Sequence, residues 1–191
     1  MNLNLSNATL IALAVAAVLL IVVAVALYVQ RHRNNTAKLR SRYGPEYERA
    51  VLQHGSERKA EASLAGRETR VEKLHIRDLE PAERARFLAR WQVMQAHFVD
   101  YPKGAVTEAD ELVCSLMQTR GYPVSEFEQR AADISVDHPR VVENYRSAHS
   151  IALRLGSGDV NTEDLRIAMV HYHSLFDDLL MNQASGVKSA A

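Results

Sequence analysis

The sequence predicts an all-α protein in which a single N-terminal transmembrane helix is followed by a charged helical segment and a multi-helix bundle. Three observations support this fold class. Residues 10–29 form an uncharged apolar run, and apolar residues recur at helical spacing through most of the remaining chain. In addition, no segment shows the polar–apolar alternation that is typical of a half-buried strand. With no strand pattern, the helices are expected to pack on one another.

The apolar run is long enough to cross a bilayer. Its twenty residues, LIALAVAAVLLIVVAVALYV, include thirteen Leu, Ile and Val and no charged residue. A helix of that length, rising about 1.5 Å per residue, spans about 30 Å of hydrocarbon. Leu, Ile and Val each favour insertion by about 0.3 to 0.6 kcal/mol at the helix centre, which gives about 4 to 8 kcal/mol in total. We therefore predict a transmembrane helix at residues 10–29.

The flanking charges predict the orientation of this helix. Residues 2–9 carry no charged side chain, whereas residues 30–43 carry five basic side chains and no acidic one: Arg31, Arg33, Lys38, Arg40 and Arg42. Because basic residues are retained on the cytoplasmic side, we expect a single-pass protein of the cell membrane, with residues 1–9 outside and the C-terminal domain in the cytoplasm. The same five side chains are candidates for binding membrane lipids, each worth on the order of 1 kcal/mol near an anionic leaflet.

A cleaved signal peptide is the alternative interpretation of the N-terminus. Ala24, Val25 and Ala26 have the small-x-small form of a cleavage site. However, a signal peptide has a basic N-terminal region and an apolar run of about 7 to 15 residues. Here the N-terminal region is neutral and the run is longer. These features favour an uncleaved anchor over a secreted or extracytoplasmic helical protein.

Charge and cysteine content restrict the function classes. Lys plus Arg and Asp plus Glu number 23 each, so the net charge does not indicate a nucleic-acid partner. The charge is unevenly distributed, with eleven basic and six acidic residues over 31–75 but twelve and seventeen over 76–191. Cys114 is the only cysteine, which excludes an intrachain disulfide and a Cys-rich metal site within one chain.

Proline, glycine and capping residues divide the rest of the chain. After the N-terminus (1–9), the transmembrane helix (10–29) and a basic juxtamembrane segment (30–43), we predict a charged helical segment at 44–76, a helical bundle domain at 77–182 and a disordered tail at 183–191. Gly44 and Pro45 predict a break, and an apolar stripe in the segment from residue 56 is interrupted by Arg67. Bundle helices are expected to begin near Pro81, Pro102, Ser125, Asp137 and Thr162, with Glu128 in the capping-box position three residues after Ser125.

The stretch EQRAADISVDHPRVVENYRSAH, residues 128–149, concentrates acidic and histidine residues. Asp133, Asp137, His138 and Glu143 could form a metal or acid–base site only if they converged. Asp137 followed by Pro139 has the pattern of a helix cap and first turn, so we interpret the stretch as the joint between two helices.

Other motifs provide few candidates for chemistry. His171 and His173 are two residues apart and point about 200° from each other on a helix, so one metal ion cannot take both. We therefore predict no metal site. If the chain did bind a metal ion, the candidate ligands would be His138, His149, His173 and Asp177. The sequence contains no glycine-rich phosphate loop, nucleophile elbow, H-E-x-x-H or paired-cysteine motif. We therefore assign no catalytic residue and expect no cofactor.

Four blocks carry a family resemblance: RYGPEYERAV, RVEKLHIRDLEPAERARFLARWQ, GYPVSEFEQRAADISVDHPRVVENYRSAH and TEDLRIAMVHYHSLFDDLL. Together they cover roughly residues 42–180 and resemble an uncharacterised family of small bacterial membrane or secreted proteins. The resemblance implies a bacterial protein with one N-terminal membrane helix and a helical domain. It implies no activity, substrate or cofactor.

These observations predict a membrane-anchored, non-enzymatic helical module. It would bind a protein partner or organise a complex at the cytoplasmic face of a bacterial inner membrane. The alternative from another class is a metal- or haem-binding bundle, or an enzyme, that uses His97, His138, His149 or His171.

Overall fold

The computed structural model describes residues 7–156 and 158–181. Over these residues the chain contains eight helices and no strand, which confirms the predicted all-α fold with a multi-helix bundle. Predictions for residues 1–6 and for the tail at 183–191 lie outside the described residues. The helices are α1 (Asn7–Tyr43), α2 (Pro45–His54), α3 (Glu57–Val71), α4 (Pro81–His97), α5 (Pro102–Arg120), α6 (Phe127–Asp137), α7 (Val142–Leu155) and α8 (Thr162–Met181).

The chain divides into two compact units, Met1–Arg42 and Tyr43–Ala191. In the first unit, α1 continues without interruption through the basic segment, because the sequence has no glycine or proline before Gly44. Among the described residues, α1 is the one helix that is long and apolar enough to cross a membrane, judged by length and composition. Its apolar side chains from Val15 to Val29 are exposed.

Residues 45–71 of the second unit form two packed helices, named here the α2–α3 hairpin. Gly44 has a φ of 52°, a left-handed value that glycine adopts without strain, and Pro45 opens α2. Gly55 ends α2 with a φ of 72°. The Ser56 hydroxyl then caps α3 by accepting a hydrogen bond from the Lys59 backbone N–H at 3.4 Å.

Helices α4 to α8 enclose one continuous apolar core, in which α8 packs on α5 and α7, and α4 packs on α5. Phe87, Trp91 and Met94 are buried on the face of α4 that the sequence pattern indicated. The Trp91 ring stacks on Phe176 of α8, with 4.6 Å between the ring centroids. The predicted period of 3.6 residues therefore identifies the core side of this helix.

Two predicted helix starts, near Ser125 and Asp137, are displaced, because α6 begins at Phe127 and α7 at Val142. The predicted Ser125 cap is replaced by Glu126, and the Glu128 carboxylate accepts a hydrogen bond from Arg146 Nη1 at 2.7 Å instead of completing a capping box. Asp137 ends α6 and accepts a hydrogen bond from the Tyr122 hydroxyl at 2.8 Å. The local sequence pattern predicts a capping role for both carboxylates. In the structure each instead accepts a hydrogen bond from a side chain distant in sequence.

The predicted start of α8 at Thr162 is confirmed, but the capping residue is the one before it. Asn161, not Thr162, caps α8, because Asn161 Oδ1 accepts from the Asp164 backbone N–H at 2.8 Å. Asp164 Oδ2 in turn lies 3.4 Å from the Asn161 backbone N–H, which completes a reciprocal cap. Thr162 is the first residue of the helix.

Candidate functional site

Three side chains meet where α6 gives way to α7, and we name Arg120, His138 and Asp178 the joint cluster. His138 follows the last residue of α6, Arg120 ends α5 and Asp178 lies in the last turn of α8. His138 Nδ1 lies 2.5 Å from Asp178 Oδ2, and its Nε2 lies 3.5 Å from Arg120 Nη1. The imidazole therefore connects the carboxylate to the guanidinium.

Arg120 also holds backbone groups from two other segments. Its side chain is only 1% exposed, Nη1 donates to the Leu179 carbonyl at 2.8 Å, and Nε donates to the Arg77 carbonyl at 3.4 Å. The Arg77 backbone N–H donates in return to the Arg120 carbonyl at 2.8 Å. At Gly121, a Cβ atom would lie 2.3 Å from the His75 carbonyl oxygen, so this close crossing requires glycine.

The joint cluster holds His138 in its neutral form. Burial lowers the pKa of His138 and the Arg120 charge lowers it further, although Asp178 and Asp137 oppose the shift. Neutral His138 can donate from Nδ1 to Asp178 and accept at Nε2 from Arg120. Since both ring nitrogens are engaged, the arrangement fixes helix ends and leaves neither nitrogen for a substrate or a metal ion.

The depressed pKa of His138 predicts that the protein loses stability in mild acid. Unfolded histidine binds a proton near pH 6.5, whereas folded His138 resists protonation until a lower pH. The free energy of unfolding should therefore fall as the pH decreases from about 7 toward 5. Urea titrations at several pH values measure this slope. We expect the His138→Asn variant to have a shallower slope, and an unchanged slope would contradict the assignment.

A second group of charged side chains lies between the α2–α3 hairpin and helices α6 and α7, and we name it the ionic layer. Its centre is Glu46 of α2, whose side chain is fully buried. Glu46 Oε1 lies 3.0 Å from Arg67 Nη1 of α3 and 3.0 Å from Arg146 Nη2 of α7. Arg146 also pairs with Glu128 of α6 at 2.7 Å. A single carboxylate thus faces two guanidinium groups.

A second set of contacts extends the ionic layer along α3 and α6. Arg67 Nη1 donates to the Ser135 hydroxyl at 3.1 Å. Arg70 pairs with the buried carboxylate of Asp133 at 3.0 Å, and Gln129 donates to the other Asp133 oxygen at 2.8 Å. Sequence reasoning missed this layer. The available signal was Arg67, which interrupts the apolar stripe of α3 because it faces Glu46 and Ser135 rather than solvent.

The candidate metal ligands do not converge. Asp133 and Asp137 bind Arg70 and Tyr122 respectively, and His138 binds Asp178. His149 stacks on the Phe127 ring at 3.7 Å. Over residues 7–156 and 158–181, no group of three or more His, Cys, Asp or Glu side chains is arranged to hold a metal ion.

The two remaining candidate ligands, His173 and Asp177, pair with each other on α8. His173 Nδ1 lies 3.3 Å from Asp177 Oδ2, one helical turn away, and both side chains are partly exposed. His97, a candidate for the alternative enzyme function, lies 3.9 Å from Glu108. Surface pairs of this kind contribute about 0 to 1 kcal/mol and need no ligand to explain them.

Cys114 is half-buried, and its sulfur lies 4.0 Å from the Tyr145 hydroxyl. Burial raises the pKa of the thiol, and the Asp110 charge raises it further. The reactive thiolate is therefore disfavoured, so the arrangement offers no activated nucleophile at this position.

Two surface grooves combine charged and apolar side chains. One has a volume of about 240 Å³ between α4 and α8 and is lined by Trp91, Gln95, Phe98, Arg166, Met169, Val170 and His173. The other has a volume of about 500 Å³ and is lined by Arg49, Phe127, Glu128, Glu143, Arg146, Ser147, His149, Ser150 and Leu153. The aromatic residues, Met and Arg among these lining residues are of the types enriched at protein–protein interfaces.

Comparison with known proteins assigns no function. No family model matches the chain, and neither a curated protein nor a solved structure is significantly similar to it. Functional inference therefore depends on the chain's own sequence and geometry.

Proposed function

We propose that the protein is a membrane-anchored helical interaction module at the cytoplasmic face of a bacterial inner membrane. The observation that supports it most directly is α1, whose exposed apolar stretch continues into a basic stretch of the same helix. A long exposed apolar helix is stable in hydrocarbon because all its backbone groups are bonded within the helix. In water the same side chains would oppose solubility.

The basic residues of α1 suit the headgroup region. At about 100° per residue, Arg31, Lys38 and Arg42 lie along one side of the helix, and Arg33 and Arg40 lie along the opposite side. All five side chains are exposed. A helix that leaves the bilayer steeply, at about 1.5 Å per residue, would place Arg31 and Arg33 among the headgroups and the other three basic side chains beyond them, and this supports a cytoplasmic exit.

The body supports binding rather than catalysis. His138 is enclosed by Arg120 and Asp178, and burial disfavours the Cys114 thiolate. The two grooves offer aromatic, aliphatic and charged groups together, which suits a protein segment better than a small polar substrate. We infer that a protein partner binds this body.

A two-reporter topology experiment tests the proposed anchor and orientation. One fusion joins a reporter after Ala37 and the other after Met181, each made with alkaline phosphatase, which is active outside, and with green fluorescent protein, which fluoresces inside. Fluorescence without phosphatase activity at both positions is expected. Phosphatase activity at both positions would instead favour the secreted alternative and redirect the partner search to the extracytoplasmic space.

A further inference from the structure

The apolar core of the bundle does not extend into the α2–α3 hairpin. Six buried apolar side chains belong to the hairpin and to the last residue of α1: Tyr43, Tyr47, Ala50, Ala60, Leu64 and Val71. None of the six is part of the continuous core cluster formed by the helices from α4 onward. The apolar side chains of the hairpin therefore form a separate, smaller cluster, and the hairpin rests on the bundle through α3 on α6 and α2 on α7.

Charged side chains of the ionic layer cross this interface. Glu46 contacts Arg146 at 3.0 Å across 100 residues of sequence, and Arg70 contacts Asp133 at 3.0 Å. The apolar surface that would be exposed on separation lies outside the bundle core. The attachment therefore differs in kind from the packing that holds α5 against α8.

Separating a charged interface returns hydration free energy to the charged groups, whereas opening an apolar core returns none. Opening returns Glu46, Arg67 and Arg146 to water, so each charge recovers the hydration that burial removed, and this offsets much of the lost attraction. Opening an apolar core only exposes apolar surface to water. The ionic layer is therefore specific in geometry but favours local opening over global unfolding.

The chain also has a fixed point immediately after the hairpin. Helix α3 ends at Val71, and Leu74 and Ile76 already pack against the bundle core. The backbone bond between Arg77 and Arg120, together with the close crossing at Gly121, holds the following residues on α5. Only residues 72 and 73 lie between the hairpin and the residues that are held on the bundle. We therefore expect the hinge at these two residues.

We propose that the α2–α3 hairpin opens from the bundle as a unit, turning about residues 72 and 73 while α4 to α8 remain folded. Opening uncovers the face of α6 and α7 that carries Asp133, Ser135 and Arg146. If the chain is anchored as proposed above, the hairpin connects the membrane helix to the bundle in sequence. Its release would then lengthen the segment that links the bundle to the membrane. This last consequence rests on the proposed function, whereas the opening itself does not.

Hydrogen exchange followed by mass spectrometry tests the opening on the full-length protein in detergent micelles. Backbone amides of α2 and α3 are expected to exchange faster than the slowest amides of α5 and α8. The Glu46→Gln variant leaves Arg67 and Arg146 facing a neutral group, so it should accelerate exchange in α2 and α3 by about tenfold or more.

Glu163→Gln is the matched control, because it removes the carboxylate of an exposed pair with Arg166. It should change exchange in α2 and α3 by less than about twofold. Unaccelerated exchange of the α2 and α3 amides in Glu46→Gln would overturn the proposal.

The wild-type protein provides a second measurement that does not depend on a variant folding. In urea below the unfolding transition, the hairpin amides should exchange through an opening with a smaller urea dependence than that of the bundle core. Identical free energies and urea dependences for both sets of amides would overturn the proposal. Both measurements concern the body alone, so failure of the topology experiment would leave their outcome unaffected.

Discussion

Replacing Arg120 with methionine is expected to lower the free energy of unfolding by about 3 to 5 kcal/mol. The variant leaves the Leu179 carbonyl, the Arg77 carbonyl and His138 Nε2 without their donor. Each buried polar group that loses its partner costs about 1 to 3 kcal/mol. Methionine fills part of the vacated volume, so the cost arises mainly from the unpaired polar atoms rather than from a cavity.

Urea unfolding of the full-length protein in micelles, followed by tryptophan fluorescence, measures this effect. Trp91 is the single tryptophan and stacks in the bundle core on Phe176, so its emission reports the unfolding of the bundle. Arg90→Met is the control, since Arg90 lies on the exposed side of α4. The control should shift the free energy by less than about 0.5 kcal/mol. An equally small shift in Arg120→Met would show that the joint cluster does not fasten the ends of α5 and α8.

The sequence predicts those parts of the fold that local physics decides. The period of Phe87, Trp91 and Met94 identifies the buried face of α4 because that face must be apolar wherever it packs. Pro45, Pro81 and Pro102 begin helices because each lacks a backbone N–H and has a φ already suited to the first turn. Such signals need no knowledge of the rest of the chain.

The polar clusters could not be predicted in this way. Glu46 and Arg146 are 100 residues apart, and Arg120 and the Leu179 carbonyl are 59 apart. Nothing local distinguishes Glu46 from an ordinary acidic residue in a first helical turn, where the helix dipole favours it. The wrong caps at Ser125 and Asp137 have the same cause, because a distant arginine or tyrosine competes for the carboxylate that a local pattern would use.

Two aspartates in the apolar part of α1, Leu19→Asp and Val22→Asp together, are expected to abolish stable membrane insertion. Each substitution removes a preference of about 0.3 to 0.6 kcal/mol and adds a cost of about 2.5 to 3.5 kcal/mol near the helix centre. The pair therefore opposes insertion by about 6 to 8 kcal/mol, which is comparable to the summed preference of about 4 to 8 kcal/mol of the native residues. The protein should move from the carbonate-resistant membrane fraction to the soluble or aggregated fraction.

The matched control is Leu19→Ala with Val22→Ala, which shortens the same side chains without adding charge. The control should remain in the membrane fraction, because eleven Leu, Ile and Val residues of the apolar run are left. If the aspartate variant also resisted carbonate, lipid attachment would have to come from elsewhere in the chain, and α1 would lose its role as anchor. If both variants were soluble while the wild type was not, the summed hydrophobicity of the run rather than charge would decide insertion, and the native helix would lie closer to its insertion threshold than the summed preferences indicate.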